Sequence, residues 1–177
     1  MTLSNKTILV TRSANQAKTF RTLLEKQGAT VMEMAALEIR PPSSWEPLDQ
    51  AIEALSTFDW LILTSANGVK FFWERLNRLD ISPTLLKSLK IAVVGKKTAN
   101  VLEQYEIQPT FVPPHFVADS LVASFPEPLA QQKILFPRVE TGGREVLIEE
   151  FQAQQAEVIA VPAYQSSCPI SADPVAV

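Results

Sequence analysis

Residues 59–68 read DWLILTSANG. Behind an acidic residue, the apolar run Trp60 to Leu63 ends at Thr64-Ser65, and Asn67-Gly68 follow at once. A short unbroken apolar run is what a strand covered on both faces requires. After it, Val69, Phe72, Trp73 and Leu76 recur at helical spacing, which predicts a helix over about 67–79. A buried strand that passes straight into an amphipathic helix is the unit of an α/β fold. The two hydroxyls at the junction have two readings. Ser and Thr are ordinary helix N-caps, and a helix N-terminus with free N–H groups is also a ready anion cradle.

The same pattern repeats along the chain. Thr7 to Thr11 reads as a strand, Ser13 as the cap of a helix to about Gln27, and Gly28 as its stop. A strand follows from Thr30 to Met34, reaching toward Ile39 before Pro41-Pro42. Helices are expected over Pro47–Leu55, Lys96 to about Gln104, Ala118–Phe125 and Gly143–Gln154. Strands are expected over Ile91–Val94, weakly at Phe111-Val112, over Lys133–Phe136 and over Glu157–Val161. Alternation of this kind gives an α/β protein with parallel sheets and helices on both faces. An internal echo reinforces it. Lys6-TILVTR matches Gln132-KILFPR, and Phe20, Leu24, Ala29 and Val31 match Leu147, Phe151, Ala156 and Val158 at nearly constant spacing, as a duplicated βαβ module would. From Gln165 onward, small residues, Ser and Pro read as a linker or loose end.

Bulk properties narrow the function classes. The chain has 177 residues, 46% hydrophobic and 20% charged, the balance of a soluble globular protein. No apolar run approaches the ~20 residues of a membrane-spanning helix, and the polar start at Met1 to Lys6 lacks the apolar core of a signal peptide. A single cysteine, Cys168, fits a reducing cytoplasm, and with a single histidine, His115, it argues against a zinc site. The net charge of −3 has no basic block, which argues against nucleic acid. Five glycines against 13 prolines leave no glycine-rich phosphate loop.

Ligands of open parallel sheets bind beyond the carboxyl ends of the strands. Here those ends carry Arg12, Thr64 and Ser65 with Asn67, Gly95 with Thr98, and Arg138. Gly95 either lets a ligand approach the backbone or only relieves a tight turn. Arg12 and Arg138 either grip carboxylates in bidentate fashion or form internal salt bridges. Tyr164, after the last strand, is either a proton donor or a half-buried aromatic. With one histidine, His115, placed in a loop, no Ser-His-Asp set assembles, and Cys168 has no base beside it.

Taken in order, ILVTR with Gln16-Ala17, DWLILTSANGV, IAVVGKKTANVLE, FVPPHFVADSLV, KILFPRVETGGREVL and AEVIAVPAY resemble the uroporphyrinogen-III synthase family across residues 7–164. The resemblance implies two flavodoxin-like parallel-sheet domains joined by a two-stranded linker, with an active site in the cleft between them. It implies a linear tetrapyrrole polycarboxylate, hydroxymethylbilane, as substrate. The reaction loses water, inverts the terminal pyrrole ring through a spiro intermediate and closes the macrocycle, with no metal or organic cofactor. Ser65 and Thr98 match substrate-contacting positions and Tyr164 the tyrosine that assists loss of the hydroxyl, so the resemblance turns the Thr64-Ser65 question toward an anion cradle. It also implies chains that run further than this one. Residues 1–40 plus 159–177 are then expected to form part of a first domain, and residues 41–158 a second one. Uncovered apolar residues such as Val31 and Met34 would favour self-association. The competing expectation is a non-catalytic α/β carboxylate-binding or interaction module.

Overall fold

A computed structural model describes residues 2–114, 118–143 and 145–169. The expected loop position of His115 and the end of the tail lie outside these residues. The chain divides into two compact units, Met1–Arg40 with Ser166–Val177, and Pro41–Gln165. Among the described residues no helix is long and apolar enough to cross a membrane.

In the first unit, β1 (Thr7–Val10) runs parallel to β2 (Thr30–Glu33) with Ile8 opposite Val31, and α1 (Ala14–Lys26) connects them. β3 (Glu38–Arg40) is a separate strand, so the apolar stretch expected to run on from Met34 is interrupted. Ser13 precedes α1 but its side chain makes no capping bond. The helix ends as expected, with Gly28 at φ +89°. Its amide donates to Glu25 and that of Ala29 to Leu24, a Schellman arrangement that packs Leu24 against Ala29 in a small core with Val10, Ala17 and Val31.

The second unit opens with α2 (Glu46–Glu53), then β4 (Trp60–Leu63), α3 (Ala66–Arg78), β5 (Lys90–Val93) and α4 (Lys96–Glu103). It continues with α5 (Ala118–Ala123), β6 (Lys133–Val139), α6 (Glu145–Ala153) and β7 (Glu157–Ser167). Its strands lie in the order β7-β6-β4-β5, all parallel. Every residue of β4 is buried, as its continuous apolar run requires. Trp60, Ile62, Ile134 and Phe136 meet Leu121, Val122, Leu147 and Phe151 of α5 and α6 on one face. Alternation turns Leu61, Leu63 and Leu135 to the other, where α3 packs on β4 and β6. The weak strand at Phe111-Val112 is reduced to a parallel bridge between Phe111 and Ala92.

The echo between the two βαβ segments extends to their hydrogen bonds. After α6, Gln155 stands at φ +65°; its amide donates to Gln152 and that of Ala156 to Phe151. Phe151 and Ala156 thus repeat the pairing of Leu24 with Ala29, and Ile134 lies opposite Val158 as Ile8 lies opposite Val31.

Two expectations need correction. β6 runs through Pro137 to Val139, and β7 continues to Ser167, so Gln165–Ser167 are strand and not loose end. Pro162 has no amide to give to a ladder. A bulge at Arg138/Val139 absorbs it, with Arg138 opposite Pro162 and Val139 opposite Tyr164. The strand therefore stays with β6, and residues 159–165 group with the second unit, not the first.

Candidate functional site

Successive strands of the second unit step outward from the middle of its sheet, β4 to β5 on one side and β6 to β7 on the other. The order reverses between β4 and β6, and the carboxyl ends at such a point form the natural crevice of an open α/β sheet. The β4 end carries Thr64 and Ser65, and the β6 end Pro137 and Arg138.

Ser65 has extended backbone, φ −149° and ψ 150°, and its Oγ accepts the Gly68 amide at 2.9 Å, so it caps α3. The same oxygen lies 3.0 Å from the phenol oxygen of Tyr164, 99 positions away in sequence. Once Ser65 has accepted from Gly68, its hydroxyl and the Tyr164 hydroxyl share one hydrogen bond between two protons. Whichever group donates, the other keeps a proton for a ligand. The first N–H groups of α3, at Ala66 and Asn67, have no partner within the helix. Capping and anion binding are thus compatible at Ser65: one lone pair fixes the helix, and one hydroxyl proton of the Ser65–Tyr164 pair is left over. Gly68 allows this closeness, since a Cβ there would lie 3.2 Å from Ser65 Oγ and 3.6 Å from the Pro137 carbonyl.

Tyr164 is 9% exposed. Its ring stacks on Phe71 of α3, centroids 5.9 Å apart and planes 14° apart. Phe71 in turn meets Trp45 at 6.3 Å, and the Arg75 guanidinium lies 4.9 Å from the Trp45 ring while pairing with Asp49. That pairing, chiefly its hydrogen bonds, raises the Arg75 pKa. The Tyr164 carbonyl accepts the Glu140 amide at 2.8 Å, and the Glu140 carboxylate takes the Ser43 hydroxyl and, at 3.1 Å, the Ser43 amide.

Beside Ser65 in the sheet, the Val94 amide donates to the Leu63 carbonyl, which sets the Gly95 turn next to the β4 end. Gly95 precedes α4 at φ 90° and ψ 144°, a backbone region that glycine alone occupies freely, and no side chain caps this helix. Thr98 is 4% exposed and its hydroxyl donates to the Val94 carbonyl at 2.9 Å, so its proton is used inside the turn.

Arg138 forms the internal ion pair that was one of its two readings. Nη1 donates to Glu145 Oε2 at 3.0 Å and Nη2 to Oε1 at 2.5 Å. These bonds raise the Arg138 pKa and hold the Glu145 carboxyl below the usual carboxylate range. Arg12, in the first unit, is exposed with its guanidinium 5.9 Å from the Phe20 ring.

Of the candidate residues, the second unit gathers Thr64, Ser65, Asn67, Gly95, Thr98, Arg138 and Tyr164 on the carboxyl ends of adjacent strands. Phe71, Glu140 and Glu145 were not among the residues read from sequence. Phe71 had a local signal, because of the three consecutive aromatics Phe71, Phe72 and Trp73 on α3 it alone falls outside the buried stripe. Glu140 had none, because its partner Ser43 lies 97 positions away.

A family model described as "Uroporphyrinogen-III synthase HemD" matches residues 18–175. The chain is 52% identical over 167 residues to the uroporphyrinogen-III synthase of Synechococcus elongatus, covering 94% of this chain and 63% of that protein. It is 34% identical over 152 residues to the uroporphyrinogen-III synthase of Chlorobaculum parvum, covering 82% and 59%. A crystal structure of mutant uroporphyrinogen III synthase from Thermus thermophilus shares the fold, with a TM-score of 0.72 at 16% identity over 93% of this chain and 64% of that one. The chain thus spans about three fifths of the length of these relatives.

Proposed function

Because this chain belongs to the uroporphyrinogen-III synthase family, we propose that it takes part in the cyclisation of hydroxymethylbilane to uroporphyrinogen III. The observation that carries the reading is the Ser65–Tyr164 hydroxyl pair at the start of α3, where the strand order of the sheet reverses. In this reading the free N–H groups of α3 and the Thr64, Ser65 and Asn67 side chains receive one substrate carboxylate, and the Gly95 turn receives another. Arg138 is a cation for a further carboxylate at the end of β6, and Arg12 is one in the first unit. Thr98 holds the start of α4 rather than touching substrate, since its proton is spent on Val94.

Tyr164 donates its phenolic proton to the departing hydroxyl of the terminal hydroxymethyl group. The C–O bond breaks, water leaves, and the electron pair of the adjacent pyrrole nitrogen fills the vacated carbon. The pyrroles then supply the nucleophile for spiro closure and ring inversion, so the protein's main work is to hold a flexible polyanion in one shape. Phe71 fixes the ring of Tyr164 and Ser65 fixes its hydroxyl. We further read the two units as the family's flavodoxin-like α/β domains, the first in part and the second in full. The strand order of the second unit supports that reading. The cytoplasm is the compartment it expects. Val31, expected to be uncovered, is 4% exposed because it packs into the core of the first unit, and the exposed Leu9, Phe20 and Leu23 there favour self-association instead.

The test is a coupled assay with freshly generated hydroxymethylbilane, resolving type III from type I uroporphyrin after oxidation. Type III product above the spontaneous type I background is expected. Tyr164→Phe should lower the type III rate by about 10²-fold, the lower end of what a positioned acid contributes. Type I product alone from the unaltered chain overturns the activity of this chain, and an unchanged rate in Tyr164→Phe overturns the role of the phenol.

A further inference from the structure

Arg138 and Glu145 form an unequal pair. The arginine side chain is 12% exposed and the glutamate 62%, so the cation is built into the fold and its partner stands in solvent. The loop after β6 has a seat for the guanidinium. A Cβ on Gly143 would lie 2.6 Å from Nη2, 2.7 Å from Nε and 2.9 Å from Cζ, so the guanidinium in this position rests directly on the glycine and would have to shift for any side chain there. Arg138 Nε is buried in that seat, and no polar atom among the described residues accepts from it. The guanidinium thus backs onto Gly143, with its two terminal nitrogens forked toward a single carboxylate. It sits at the carboxyl end of β6, one residue before Val139, which lies opposite Tyr164.

We propose that Glu145 is an internal stand-in for a substrate carboxylate, and that Arg138 exchanges it for one when the ligand binds. This rests on the reading of the ligand as a tetrapyrrole polycarboxylate. The exchange swaps one carboxylate for another at the same fork, so it conserves charge and hydrogen bonds at the guanidinium. Glu145 can leave because its carboxylate is mostly solvated already and the incoming carboxylate takes over the same two-bond fork. The arginine is the more buried partner, 12% exposed, and lies against Gly143. In the equivalent βαβ module, Lys18 stands where Glu145 would fall, counted from the match of Phe20 with Leu147. The stand-in therefore belongs to the second copy and is not a general feature of the repeat. The consequence for function is a site that stays electrostatically closed until a competing carboxylate arrives.

The test uses the chain as it is, with uroporphyrin III as a stable fluorescent polycarboxylate probe, titrated at neutral pH and low salt. Glu145→Gln should tighten the apparent Kd by about fivefold, because the competitor for the fork is gone. Arg138→Gln should weaken it by about tenfold. The double variant should match Arg138→Gln, since Glu145 acts only through the arginine. Glu149→Gln, an exposed glutamate elsewhere on the same helix, removes the same charge and should leave the Kd within about twofold. Thermal unfolding of each variant confirms that it is folded. The proposal is overturned if Glu145→Gln does not tighten binding, if Glu149→Gln tightens it equally, or if the double variant binds more tightly than Arg138→Gln. Wild-type protein that binds no uroporphyrin overturns the ligand class along with it. Binding that is indifferent to both residues overturns the exchange alone.

Discussion

Breaking the Ser65–Tyr164 bond by a double-mutant cycle is the most direct probe of the site. Ser65→Ala removes two interactions at once. The Gly68 amide loses its capping acceptor, which costs about 1 kcal/mol. The phenol of Tyr164, 9% exposed, loses its partner at 3.0 Å, which costs about 1 kcal/mol more. Tyr164→Phe removes only the second, because the ring still stacks on Phe71, so about 1 kcal/mol is expected. The double variant lacks cap and bond together, about 2 kcal/mol, where the single losses add to about 3. The coupling is therefore about 1 kcal/mol, read from urea midpoints at constant m-value. Additivity within about 0.3 kcal/mol would show that the two hydroxyls do not bond, and the argument that one proton is left for a ligand would fall with it.

Gly95→Ala should destabilise the chain by roughly 1–3 kcal/mol, because its φ of 90° with ψ of 144° is strained for any residue with a Cβ; an unchanged thermal midpoint would refute that backbone. Gly143→Ala should displace the Arg138 guanidinium from Glu145 and weaken uroporphyrin binding in the same direction as Arg138→Gln, measured by the same titration. Glu127 accepts two bonds from Lys90, at 2.6 and 2.7 Å, and one from Trp60 Nε1 at 2.6 Å, which hold its carboxyl below the usual range. A depressed folded pKa gives stability that is present above the unfolded value of ~4.3 and lost as pH falls through the folded one. Glu127→Gln should therefore lower the thermal midpoint at pH 7, and the gap to wild type should narrow toward pH 3.

What the sequence disclosed follows from where the physical signal is local. β4 and α3 were legible because an unbroken apolar run and a helical stripe each carry their own period, and both ends came within a residue. The C-terminal half of β7 was not, because Gln165–Ser167 carry no apolar alternation and Pro162 reads as a breaker. Their strand character comes from the ladder with β6 and the bulge that admits the proline. Ser13 shows the converse: a residue of the right type for capping, whose side chain makes no cap. At the site, Ser65 and Tyr164 could each be singled out by type and position. Their pairing could not, because it depends on the strand order that sets β7 two strands from β4.

That same arrangement determines how a polyanion approaches. The chain carries a net charge of −3, so its overall field repels the proposed substrate out to about a Debye length, ~10 Å at 0.1 M salt, and further at lower salt. Attraction must then come from groups that act at contact: helix N–H groups, the Ser65 and Tyr164 hydroxyls, Arg138, which Glu145 already neutralises, and Lys96 and Lys97 at the start of α4. Electrostatic steering by a basic field makes association slow steeply as salt rises. Here the long-range term has the opposite sign, so stopped-flow association of uroporphyrin III should hold steady or quicken between about 0.02 and 0.2 M salt, where the Debye length shortens from roughly 20 to 7 Å. A steep fall in the association rate would reveal a basic approach surface, and capture by groups acting only at contact, at the reversal of the sheet, would have to be abandoned.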